Sequence, residues 1–87
     1  MAGYSIVVKK SVWKDFKKIP KTDTERILSA IRGLAQSPRP PQAKKLSGQE
    51  RYRLRQGNYR ILYKIEDEQL IVCIVKVGHR REVYRQP

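Results

Sequence analysis

The sequence predicts an α/β fold of the α+β kind: an N-terminal strand, a two-helix antiparallel hairpin, then a three- to four-stranded, mainly antiparallel sheet. Three observations carry this. Apolar residues between positions 12 and 35 recur at helical spacing, those after position 51 alternate with period two, and the dipeptide Gly57-Asn58 separates two of the alternating runs. A chain of 87 residues buries enough surface for one core, so residues 1–87 are expected to form a single domain.

The stretch from Tyr4 to Lys10 (YSIVVKK) is rich in β-branched residues and is expected to be a strand. Ser11 is placed to cap a short helix, SVWKDFKKI, in which Val12, Trp13, Phe16 and Ile19 share a face; Pro20 should end it. Thr22 followed by Glu25 has capping-box spacing, and Ile27, Leu28, Ile31, Leu34 and Ala35 form the apolar stripe of a second helix. So few residues separate the helices that an antiparallel hairpin is expected. The segment from Ser37 to Glu50 holds three of the five prolines and reads as a surface connection. Strands from Arg51 to Gln56, Tyr59 to Ile65 and Leu70 to Val77 follow, with a further edge strand expected around Glu82 to Arg85.

Twenty Lys and Arg stand against eight Asp and Glu, a net charge of +12. Such an excess repels itself in a compact state and favours a polyanionic partner, nucleic acid first, with an anionic membrane or an acidic protein behind it. The longest apolar run, LIVCIVKV, is too short to cross a bilayer, and MAGYSIVVKK lacks the apolar core and cleavage site of a signal peptide. A cytosolic protein with no membrane role is therefore expected. Cys73 is the sole cysteine; it has no internal disulfide partner, no Cys/His cluster suggests zinc, and it is expected to be a small buried hydrophobe.

The arginines give the charge a direction. With Gly57 and Asn58 as the loop, Gln56 pairs with Tyr59, Arg55 with Arg60, Leu54 with Ile61, Arg53 with Leu62 and Tyr52 with Tyr63. Tyr52, Leu54, Ile61 and Tyr63 then share one face, which should pack on the helices, while Arg51, Arg53, Arg55, Arg60 and Lys64 share the other. Continuing the alternation adds Leu62, Cys73 and Val75 to the cationic side, an apolar floor with charged walls. A planar guanidinium beside such a floor suits phosphate. Lys44, Lys45 and Arg81 are further candidates for holding RNA, although an exposed lysine pair is most simply a solvated one.

The tail, GHRREVYRQP, adds His79, the only histidine and the residue type whose ordinary pKa, about 6.5, lies nearest neutrality. Gly78 permits a bend or bulge that would swing the following residues over the basic face. Tyr84 suits edge packing, base stacking or proton handling. No carboxylate cluster is available to hold Mg²⁺, so cleavage of nucleic acid by these residues would be metal-independent and, because it needs a 2′-OH nucleophile, specific for RNA.

Together, YRLRQGNYRILYKIED and VGHRREVY, set behind a strand and a helical hairpin, resemble the RelE branch of the RelE/ParE toxin superfamily over nearly the whole chain. The resemblance implies a toxin of a type II toxin–antitoxin pair that cleaves mRNA in the ribosomal A site without a metal or other cofactor. It also implies a cognate, RelB-like antitoxin whose acidic, partly apolar segment neutralises the toxin in a hetero-oligomer. By position, Arg53, Arg55, Arg60, Arg80 and Tyr84 match the family's functional residues, and His79 takes the basic position before Arg80. Familiar RelE-type members carry lysines where Arg53 and Arg55 stand. Arginine stays protonated and cannot act as a base, which turns attention to His79, Tyr84 or a water. The ParE side of the superfamily implies a DNA gyrase poison instead, and a non-catalytic RNA-binding protein is the remaining alternative.

Overall fold

The structure, a computed structural model, describes residues 3–46 and 51–79. Its elements are β1 Ser5–Val8, α1 Lys10–Lys17, α2 Lys21–Gly33, β2 Ala43–Lys45, β3 Arg51–Gln56, β4 Tyr59–Glu66 and β5 Ile71–His79. The strands form one sheet in the order β1-β5-β4-β3-β2. Neighbours are antiparallel except β1 and β5, which run parallel. The edge strand expected around Glu82 to Arg85, with Arg80, Arg81 and Tyr84, lies outside the described residues.

The sheet holds one strand more than expected. β2 sits inside the proline-rich connection, where Ala43, Lys44 and Lys45 pair with Leu54, Arg53 and Tyr52. Three residues carry too little pattern to announce a strand, and it is the open edge of β3 that makes them one. The helix starts also differ. Ser11 lies inside α1, whose N-cap is Lys9, and Thr22 lies inside α2, whose N-cap is Pro20; neither cap makes a side-chain hydrogen bond. Pro20, at φ −54°, hands the chain straight into α2. Thr22 therefore sits too far along to cap, and the capping box with Glu25 does not form.

Both helices cover the same face of the sheet, α1 over β5 and α2 over β3. Val12, Phe16, Ile27, Ile31 and Leu34 meet Tyr52, Leu54, Ile61, Tyr63, Ile65, Val72, Ile74 and Val77 in a single core. Burying one such aliphatic side chain completely contributes about 1.5–3 kcal/mol. Trp13 does not join them, being 51% exposed with its ring 5.7 Å from that of Phe16. At 100° per residue it is turned about 80° away from the Val12–Phe16 direction, too far round a short helix to reach the sheet.

A polar knot ties the proline-rich segment to the sheet. Arg39 forks onto Asp67 at 2.9 and 3.2 Å, its Nε donates to the Tyr52 hydroxyl at 2.8 Å, and its guanidinium lies 5.3 Å from the centre of the Tyr52 ring. The Tyr4 hydroxyl donates to the same carboxylate at 2.7 Å, and the Tyr63 hydroxyl donates to the Pro38 carbonyl at 2.6 Å. Arg39 first, then Tyr4, hold the Asp67 carboxyl below the ordinary carboxylate range. Burial, reinforced by Tyr52, pushes the Tyr63 phenol up to about 12.

These shifts have opposite consequences at the two ends of the pH scale. A depressed carboxyl contributes stability above its unfolded value, about pH 4, and loses it as pH falls through the lowered folded value. Asp67→Asn should therefore lower the thermal midpoint at pH 7, and the gap from the parent should close below about pH 4. A raised phenol contributes below about pH 10 and loses that contribution as pH rises toward its folded value. Tyr63→Phe should cost about 0.5–1.5 kcal/mol at neutral pH, from the lost bond to Pro38, and should flatten the decline in stability above about pH 10; denaturant titrations across pH read both.

Candidate functional site

The candidate site begins at the β3–β4 turn. Gly57 occupies the left-handed region at φ 60°, a conformation open to glycine at little cost. The two-residue loop pairs Arg51 with Lys64, Tyr52 with Tyr63, Arg53 with Leu62, Leu54 with Ile61, Arg55 with Arg60 and Gln56 with Tyr59. Tyr52, Leu54, Ile61 and Tyr63 are buried under the helices, so the expected division of faces is the observed one.

On the open face, residues line up in rows across the strands. Lys44, Arg53 and Leu62 form one row, Arg51, Lys64 and Cys73 a second, and Arg55, Arg60 and Gly78 a third. Leu62, Cys73 and Val75 are partly buried, giving the apolar floor, and a shallow hollow of about 40 Å³ opens beside Leu62, Val75 and Arg51. Glu66 ends the face beyond Lys64. Lys45, paired with Tyr52, falls on the helix side, so the lysine pair is split between the two layers.

Arg60 is the unusual member of the group. It is only 7% exposed, directly opposite Arg55, and its Nε is buried with no hydrogen-bond partner. Gly78, across from it on β5, contributes no side chain to compete for space. Like charges directly opposed across a pair destabilise a sheet, and a buried unpaired donor adds its desolvation penalty. The geometry holds concentrated positive charge against a partly dry surface. Its natural complement is an anion with several oxygen atoms.

His79 is not with the arginines. Between Leu62 and Tyr63 the β4–β5 register shifts: Tyr63 pairs with Ile74, Leu62 with Lys76, and Val75 is the extra residue. One extra residue reverses the alternation, so Val77 turns into the core and His79 pairs with Tyr59 on the helix side. The two rings meet edge to face at 5.9 Å, beside a cleft of about 230 Å³ bounded by Asp15, Lys18 and Ile19. The irregularity lies at Val75, ahead of Gly78, where the sequence led us to expect it. Asp15 steadies this point: its carboxylate accepts from Lys76 Nζ at 3.0 Å and from the Val77 N–H at 3.3 Å, where β1 has already ended. Nothing in the sequence singles out Asp15, because its role depends on the bulge. Among the described residues, no three of His, Cys, Asp or Glu are gathered as a metal would need.

A family model described as the ParE toxin of type II toxin–antitoxin systems, parDE, matches residues 6–84. The mRNA interferase toxin RelE of Escherichia coli strain K12 is 32% identical over 78 residues, covering 84% of this chain and 81% of that one. Among solved structures, a chain of the archaeal RelE-RelB complex from Pyrococcus horikoshii OT3 superposes with a TM-score of 0.82 at 28% identity, over 94% of this chain and 99% of that chain. A chain of the toxin–antitoxin complex RelBE2 from Mycobacterium tuberculosis superposes with a TM-score of 0.69 at 30% identity, over 90% and 99%.

The buried Nε of Arg60 opposes stability on a face of concentrated positive charge. Arg60→Met keeps the bulk of the side chain and removes the charge, so it should raise the unfolding free energy by about 1–3 kcal/mol in denaturant titration. An unchanged or lowered value would show that the guanidinium is fully satisfied in the folded state.

Proposed function

Because this chain belongs to the ParE toxin family of type II toxin–antitoxin systems, as a RelE-type toxin, we propose that it is a metal-independent endoribonuclease that cuts mRNA on the ribosome. The observation that supports this reading most is the convergence of Arg53, Arg55 and the buried Arg60 on one face of the sheet, over a partly apolar floor.

The chemistry follows from what such a face stabilises. A ribose 2′-oxygen attacks the adjacent phosphorus in line, the bond from phosphorus to the 5′-oxygen breaks, and a 2′,3′-cyclic phosphate and a 5′-hydroxyl result. Negative charge grows on the non-bridging oxygens of the pentacoordinate phosphate. Fixed guanidinium groups meet it there without reorganisation, which is where electrostatic catalysis is most effective. Arg60 and Arg80 take the transition-state phosphate; Arg53 and Arg55 stabilise charge and hold the RNA, with Lys44, Arg51 and Lys64 extending the track across β2, β3 and β4. Two protons must also move, one off the 2′-hydroxyl and one onto the leaving oxygen. None of the arginines accepts a proton at ordinary pH, and His79 stands on the opposite layer of the sheet. Proton transfer therefore falls to Tyr84 or a water.

The partner is an antitoxin. RelE occurs with RelB in the complex from Pyrococcus horikoshii, and a segment rich in acidic residues fits the basic face of this chain by charge. The family model carries the ParE name, which favours a second reading, poisoning of DNA gyrase. That activity requires no one-sided arginine row.

Inducing the protein alone, and then with the gene beside it, while mapping RNA ends should give codon-phased cuts that the second gene suppresses. Intact mRNA with trapped gyrase–DNA complexes would support the gyrase reading, and neither result would leave a simple binder. In single-turnover cleavage of ribosome-bound mRNA, Arg60→Ala should lower the rate by about 10²–10³-fold. Tyr84→Phe should slow it clearly, and His79→Ala should leave it within a few-fold of the parent. A loss in His79→Ala as large as that in Arg60→Ala would place the imidazole in proton transfer.

A further inference from the structure

A second basic surface lies on the other layer. Residues 9–21 carry six lysines, Lys9, Lys10, Lys14, Lys17, Lys18 and Lys21, and a single acid, Asp15. All six lysines are exposed, whereas the Asp15 side chain is 11% exposed and turned inward onto Lys76 and Val77. The outer surface of α1 thus has no negative charge. Lys10, Trp13, Lys14 and Lys17 fall within an arc of about 100°, centred about 130° round the helix from Val12 and Phe16, which face the sheet. Trp13 leaves half its surface in water within that arc.

A helix face that only met water would mix its signs. Here Lys10 and Lys14, four apart, and Lys14 and Lys17, three apart, repel each other and weaken the helix. No acid lies in the first turn to meet the positive end of the helix dipole, and Lys10 stands there instead. These unfavourable choices sit beside a half-exposed indole and not one compensating carboxylate.

We infer that α1 is a docking surface for helical RNA, held through its phosphate backbone and separate from the arginine face. The inference rests on the ribosomal reading above: a protein that cuts mRNA within the ribosome meets RNA on both layers. The residue types divide accordingly. Lysine ammoniums on flexible stems suit a row of phosphates read without regard to sequence, whereas planar arginines suit a phosphate gripped in a fixed geometry. An antitoxin segment, by contrast, needs to cover only the arginine face to stop cleavage.

Trp13 is the only tryptophan, so its emission reports on α1 alone. Titrating the full chain with an RNA duplex of about 16 base pairs should change that emission. Lys10→Gln/Lys14→Gln/Lys17→Gln should keep a thermal midpoint at or above the parent's, bind the duplex roughly tenfold more weakly, and lower the log–log salt slope by about 2 to 3. Cleavage on ribosomes should then show a raised KM with kcat unchanged. Duplex and ribosome binding equal to the parent's would overturn the inference, as would loss of antitoxin binding with duplex binding intact. If the parent never cuts mRNA but duplex binding still follows these lysines, the docking surface stands and the cleavage reading falls.

Discussion

β4 is paired on both sides, and its alternation decides which layer each neighbouring side chain joins. Ile61, Tyr63 and Ile65 go to the helices, while Arg60, Leu62 and Lys64 go to the open face. A slip of one residue in the β3–β4 hairpin would drive Arg53 and Arg55 toward the core and expose Tyr52 and Leu54. Burying unpaired charge in that way costs several kcal/mol for each ion. The hydrophobic layer thereby fixes the register against the repulsion of the arginines, and the left-handed glycine at the turn sets where counting begins. Mutual repulsion on one side of the sheet is held in place by apolar packing on the other.

That division was legible in the sequence because period two and a Gly-Asn turn are local signals. The membership of Lys44 in the arginine layer was not, since β2 exists only through its pairing with β3. The helix starts were misjudged because Ser11 and Thr22 have the right chemistry for caps, while backbone geometry at Lys9 and Pro20 decides where the helices begin. Trp13 was placed on one face with Val12, Phe16 and Ile19 by helical spacing, and its angle round the helix leaves it outside the core. The position of His79 shows the limit most clearly. Alternation counted from Cys73 puts it with the arginines, and a single uncounted residue at Val75 moves it to the other layer. A bulge is a property of two strands, so no inspection of one strand reveals it.

Asp15 joins these observations. By accepting both Lys76 and the Val77 N–H, its carboxylate does for the end of β5 what β1 does for the beginning. The same inward turn removes the one negative charge from the outer surface of α1. One side chain thus holds the phase of β5 and leaves the outer surface of α1 uniformly basic, linking the two cationic layers.

The parallel ladder between β1 and β5 joins residues 66 positions apart, from Ser5 with Ile71 to Val8 with Ile74. Loop-closure entropy is lost before such a ladder compensates for it, so the pairing slows folding more than it lowers stability. β5 also supplies one side of β4, including the glycine opposite Arg60. Without β5, β4 has a bare edge and the glycine opposite Arg60 is missing from the arginine face. The order of the strands therefore leaves the arginine face complete only when segments from both ends of the described chain have come together.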